Sequence, residues 1–156
     1  MDIGSGKSYP AHALSNFAPH PFVFDGVECA SMEGFLQSLK FKNPEMQVQV
    51  CTLVGKQAKF RGKKKKWYVT QTLWWKGEEI DRHSSQYLRL LQGAYNALAE
   101  NSGFKRALLA TKNSALTHSL GKNDPHRTIL TTQEFCGILV ELREKLQKEK
   151  NDKYNN

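Results

Sequence analysis

Acidic residues are in short supply in this chain, cysteine is rarer still, and long apolar runs are missing altogether. The three cysteines, Cys29, Cys51 and Cys136, are widely spaced, odd in number and contain no CxxC pair, which argues against a disulfide framework or a zinc knuckle. They read as reduced, mostly buried thiols. No stretch approaches the roughly 20 apolar residues needed to cross a bilayer. Met1 to Pro10 lacks the apolar centre of a signal peptide, so a cytoplasmic setting away from the membrane is expected. His12, His20, His83, His118 and His126 show no HExxH or clustered spacing. Neither a metal nor a cofactor is therefore expected. The acidic deficit, 15 Asp and Glu against 23 Lys and Arg, gives a formal charge of +8 and a pI near 9.4. Such a balance favours polyanionic partners, either nucleic acid or phosphorylated small molecules, without choosing between them.

What the chain does contain suits one compact domain. It has 156 residues, 39% of them hydrophobic, with eight Phe and three Trp. Residues 1–13, poor in large apolar groups and rich in Gly, Ser and Pro, predict a loosely held start. The GSGKS segment there lacks the glycine spacing and preceding strand of a phosphate loop. Pro21 to Cys29 reads as two short strands around an Asp25-Gly26 turn. Ser31 can cap a helix whose Met32, Phe35, Leu36 and Leu39 make one apolar face. Asn43-Pro44 opens a second helix towards Leu53, and Gly55 to Arg61 is a short helical piece that Gly62 can terminate. The secondary structure of Trp67-Tyr68 and Trp74-Trp75 is not settled by pattern. Tyr87, Leu90, Leu91, Ala94 and Leu98 form one helical stripe, and Phe104, Ala107 and Leu108 the next. Thr131 and Glu134 form a capping box before a last helix lined by Phe135, Ile138, Leu139, Leu142 and Leu146. The polar residues after Gln147 predict fraying in a tail, 148–156. The expected architecture is α+β but mainly α: a single compact helical domain over 14–147, with a small β-hairpin near the N-terminus.

On the helix begun by Ser31, Glu33, Gln37 and Lys40 fall at i, i+4 and i+7. They form a stripe about 120° around from the apolar face, at the border of the core. Taken alone, this is ordinary: Glu33 suits the positive end of the helix dipole and Lys40 the negative end.

The strings LSNFAPHPFVFDG, SMEGFLQSLKF and GKQAKFRG change the weighing, because they resemble the signature blocks of the NADAR family, the YbiA-like N-glycosidases. LLATKNSALTHSLGKNDPHRTIL and EFCGILVELREKL resemble later blocks of that family in the same order, so the similarity spans about residues 14–146. The resemblance implies hydrolysis of an N-glycosidic bond at ribose, in substrates such as ADP-ribosylated guanine of DNA or RNA, an ADP-ribose-like small molecule, or riboflavin-synthesis intermediates. Asp124-Pro-His-Arg-Thr128 stands where many relatives have a Trp-Gly pair after the late aspartate. That departure brings the chain closer to the members that reverse guanine ADP-ribosylation, whose functional counterpart would be an ADP-ribosyltransferase toxin.

Breaking a C1′–N bond builds positive charge on the ribose, which a carboxylate can stabilise while activating water. Glu33 matches the family's motif glutamate and is assigned that role. The resemblance also implies a lysine that attacks C1′ to form an imine. Lys40 matches the motif lysine and is preferred over Lys59 because it shares the helical stripe with Glu33. Asn16 and Gln37 are expected to hold ribose hydroxyls or base edges, and Phe17 to pack under a ring. Trp74 or Trp75 would stack on the base. Arg61 and backbone N–H groups near Gly62 would hold the pyrophosphate. His118 and Asp124 match late motif positions that line the family's pocket. Lys63 to Lys66, with Lys56, Lys59 and Arg61, form a basic stretch suited to phosphates, although like-charge runs are often only solvated loops. A non-catalytic module binding ADP-ribose or nucleic acid is the alternative outside enzymes.

Overall fold

A computed structural model of the chain describes residues 1–155. Seven α-helices and two antiparallel hairpins follow one another in the order β1 (Phe22–Phe24), β2 (Val27–Cys29), α1 (Met32–Ser38), α2 (Pro44–Cys51), α3 (Gly55–Lys63), α4 (Trp67–Thr70), β3 (Thr72–Trp75), β4 (Glu78–Asp81), α5 (Ser85–Leu98), α6 (Ser102–Ala110) and α7 (Thr132–Asn155), after a single 3₁₀ turn at Ala11–Leu14. The α+β, mainly helical expectation holds.

The first hairpin turns where expected, with Asp25 and Gly26 at φ 51° and 77°, as a two-residue turn between right-twisting strands requires. The second hairpin, which pattern left unsettled, uses the same device at Lys76-Gly77, φ 52° and 83°. The two are tied together by Trp75, whose indole N–H donates to Asp25 at 2.9 Å.

Helix α1 lies at the centre, with every residue from Met32 to Ser38 buried. Ser31 caps it, accepting from the Gly34 N–H at 3.1 Å and donating to the Leu53 carbonyl at 3.0 Å. Close approach of the following segment depends on Gly34: a Cβ there would lie 2.5 Å from the Leu53 oxygen. Asn43 caps α2 through the amides of Glu45 and Met46. Buried Gln47 then gathers backbone groups from three places. It donates to the carbonyls of Ser38 and Trp74 and accepts from the Lys76 amide, joining the end of α1 to the second hairpin.

Helices α5, α6 and α7 complete the core with the stripes read from sequence. The Thr131–Glu134 capping box forms reciprocally, at 2.8 and 3.0 Å. Glu134 also receives both terminal nitrogens of Arg82, a buried guanidinium that donates in addition to the Thr128 carbonyl. Such a pair satisfies its own desolvation only as an intact unit.

Three expectations are corrected. The first residues are anchored rather than loose, because Ile3 is fully buried and its N–H meets the Thr117 carbonyl at 2.8 Å, while Asp2 accepts from the amide and hydroxyl of Ser119. Gly62 does not end α3 but lies inside it. Helix α7 continues through the polar segment to Asn155, past Gln147, as exposed helix. The last residue of the tail expected to fray, Asn156, lies outside the described residues.

Candidate active site

The α1 stripe is deeper than a cleft wall. Glu33 and Gln37 are only 9% and 7% exposed, and Gln37 Nε2 donates to Glu33 Oε1 at 2.9 Å. The i, i+4 spacing of a helix makes that bond, which fixes one carboxylate oxygen and leaves the other unclaimed. The Glu33 amide, an unpaired donor of the first turn, is taken by the Asn16 carbonyl at 3.0 Å.

Lys40 is not on the helix as read from spacing. Helix α1 ends at Ser38, and the Lys40 amide bonds to the Gln37 carbonyl at 3.2 Å in a tighter turn. The helix stops here because the Leu39 carbonyl is taken by the Trp74 amide at 2.8 Å, which turns the chain towards the second hairpin. The turn nevertheless keeps Lys40 within the electrostatic reach of Glu33.

Burial pushes the Glu33 carboxyl above the usual range, opposed by the Gln37 hydrogen bond and by the ammonium groups of Lys59 and Lys40. Burial likewise lowers the Lys40 amine to about 8. Glu33 works against that shift, while Lys59 and Lys122 add to it. A carboxylate moved up and an amine moved down, side by side, are the pattern expected where proton transfer or amine attack must operate near neutrality. Lys122 was not singled out from sequence. Its only signal was its place between His118 and Asp124 in the late motif block.

Helix α3 supplies the facing wall. Lys59 places its ammonium 5.9 Å from the Phe17 ring centroid. Gly62 is where α3 meets Gln37: a Cβ built there would fall 1.8 Å from Gln37 Oε1. That oxygen is buried and has no hydrogen-bond partner among the described residues. Gly62 therefore serves helix contact and not anion binding. It sits in the last turn of α3, where carbonyls and not N–H groups are left free. Arg61 is exposed, its Nη2 2.8 Å from Met46 Sδ and its guanidinium 5.3 Å from the Phe41 ring centroid.

Asn16 is held from a different direction. Its side-chain oxygen accepts from the Tyr95 hydroxyl at 2.7 Å, and Tyr95 is fully buried. Its ring packs 6.1 Å from Phe135, which in turn lies 5.3 Å from the His118 ring. His118 Nδ1 donates to the Ile3 carbonyl at 2.7 Å, since a carbonyl can only accept, and its ring edge crowds Gly121. These contacts are those of a packing histidine. Asp124 is exposed and caps its own turn through the His126 amide, the bond chiefly responsible for lowering its carboxyl.

Trp75 is corrected outright as a base platform. It is 7% exposed, packed 5.2 Å from Phe35 and 5.7 Å from Phe24, with its indole N–H already used by Asp25. Strand alternation sends Trp74 to the other face, half-buried, with the Lys42 ammonium 5.2 Å from its ring centroid.

Comparison with known proteins agrees with this architecture. Over 96% of this chain and 86% of the other, the structure is similar to the NMR structure of the E. coli protein YbiA, with a TM-score of 0.65 at 21% sequence identity, which shows a shared fold. A 17.1 kDa protein encoded in the Gp30-rIII intergenic region of Enterobacteria phage T4 is 40% identical over 155 residues, covering 94% of this chain and 98% of its own length. The model of the family described as bacteriophage protein GP30.3 matches residues 8–144. On that match, spanning nearly the whole domain, the chain belongs to the bacteriophage GP30.3 family.

Proposed function

We propose that the protein is an N-glycosidase that removes ADP-ribose from guanine in nucleic acid or nucleotides. The observation that carries this reading is the buried Glu33 carboxylate, fixed by Gln37 and set beside a Lys40 amine lowered to about 8. As the C1′–N bond breaks, its electron pair leaves with the base, and the ionised Glu33 stabilises the positive charge on the ribose. Neutral Lys40 attacks C1′, the ring opens to an imine, and water activated by Glu33 hydrolyses it, returning the free sugar and the amine. Lys40 is favoured over Lys59 because burial keeps part of its population uncharged near neutral pH. The exposed cations of α3 and the following loop, from Lys56 to Lys66 with no acidic residue among them, favour a phosphate-rich substrate.

The test is release of ADP-ribose from an ADP-ribosylated guanine oligonucleotide, alongside a ribosylated riboflavin intermediate. Release should be abolished in a folded Glu33→Ala protein and should rise with pH through about 8 in the wild type. Borohydride should trap an adduct that disappears in Lys40→Ala and persists in Lys59→Ala. Full activity of Glu33→Ala would refute the assignment. Turnover of the riboflavin intermediate alone would change the substrate, and ADP-ribose binding without turnover would indicate a binding module.

A further inference from the structure

Resting on the glycosidase reading, we propose that Tyr95 is a positioning residue: its buried hydroxyl holds Asn16 so that the side-chain N–H₂ edge, next to Glu33, donates to an acceptor oxygen of the ribosyl substrate. The sense of the Asn16 amide follows from satisfaction. Tyr95 is 0% exposed, and Asn16 Oδ1, at 2.7 Å, is the acceptor its hydroxyl meets among the described residues. Turning the amide over would leave the buried hydroxyl hydrogen without an acceptor, at the full desolvation cost of that group. With the oxygen committed to Tyr95, the two N–H bonds of Asn16 have no partner among the described residues, and Asn16 is only half-buried, so they remain open to a ligand.

The backbone of the same residue accepts from the Glu33 amide at 3.0 Å, which places Asn16 at the start of α1, and the Tyr95 hydroxyl it meets lies within the electrostatic reach of the Glu33 carboxylate. Burial, and after it the Glu33 carboxylate, hold the Tyr95 phenol well above its ordinary range, so it stays a donor at any working pH. A pair of N–H donors beside a carboxylate selects a group rich in acceptor oxygens, as a ribose or its attached pyrophosphate is. Asn16 was anticipated as a ligand contact, but nothing local in sequence links it to a tyrosine 79 positions away.

The experiment compares Tyr95→Phe, Asn16→Ala and the double variant for kcat/KM of ADP-ribose release. Each single change should lose about tenfold, the effect of one substrate hydrogen bond. The double variant should lose no more than Asn16→Ala alone, because Tyr95 acts only through Asn16. Losses that multiply would overturn the proposal and leave Tyr95 a packing residue. If the wild type releases no ADP-ribose, the glycosidase reading fails by itself, and the Asn16 side-chain amide resonance of the free protein decides the positioning. That resonance should move in Tyr95→Phe; an unchanged resonance overturns the link.

Discussion

Replacing Gly62 by alanine should destabilise the protein, although the same change in the middle of an exposed helix normally stabilises it by about 1 kcal/mol. The added Cβ would sit 1.8 Å from Gln37 Oε1, 2.8 Å from its Cδ and 3.1 Å from its Cβ, so the side chain cannot merely tilt its tip away. Gln37 is buried, and moving it breaks its bond to Glu33 Oε1. Overpacking of this kind costs about 1–3 kcal/mol. A lost hydrogen bond to a buried carboxylate adds about 1.5–3 kcal/mol. Against the helix gain, a net loss of roughly 1.5–5 kcal/mol remains, a fall in Tm of about 2–4 °C for each kcal/mol at this chain length. Thermal melts followed by circular dichroism measure it. The decisive comparison is the same change in a Gln37→Ala background, where Oε1 and Cδ are removed and only the 3.1 Å contact with the residue 37 Cβ remains, so the cost of Gly62→Ala should largely disappear. A raised Tm for Gly62→Ala in the wild-type background would refute the reasoning.

Further outcomes concern the carboxylate and the aromatic pair. Glu33 has a folded pKa raised above its unfolded value, so its contribution to stability is greatest in the acid range and is lost as pH rises through the folded value. Glu33→Gln should therefore melt higher than wild type at neutral pH, with the gap closing as pH falls into the carboxylate range, while activity is lost. A variant that gains nothing at pH 7 would show that Gln37, Lys40 and Lys59 already offset the burial. Trp75→Ala should cost about 3–5 kcal/mol in chemical denaturation, as expected for emptying a core tryptophan. Trp74→Ala should cost about 1 kcal/mol or less. The opposite ranking, with Trp75→Ala stable and raised only in KM, would restore Trp75 to the ligand site.

The elements that could be read from sequence are those whose causes are local. Ser31, Asn43 and the Thr131–Glu134 pair each cap a helix within three residues of themselves, and Asp25-Gly26 carries its own turn. The Glu33–Gln37 contact was legible for the same reason, as one turn of helix brings the two together. Where a distant segment decides, sequence was silent. The end of α1 is set by the Trp74 amide, so the helical position of Lys40 was misjudged even though its proximity to Glu33 survived. Gly62 looked like a terminator because its real constraint, the Gln37 side chain, comes from another helix. Lys76-Gly77 carried the same signal as Asp25-Gly26, and two tryptophans in the strand before it obscured the alternation.

A helix with no outward face, like α1, also constrains how such a protein can diversify. Each of its seven residues is enclosed, so substitutions there meet packing on every side and drift is strongly restricted. The exposed cations of α3 and the turn around Asp124 carry no such restraint. New ligand preferences would therefore arise by change at the periphery, around a carboxylate whose helix has little room to vary.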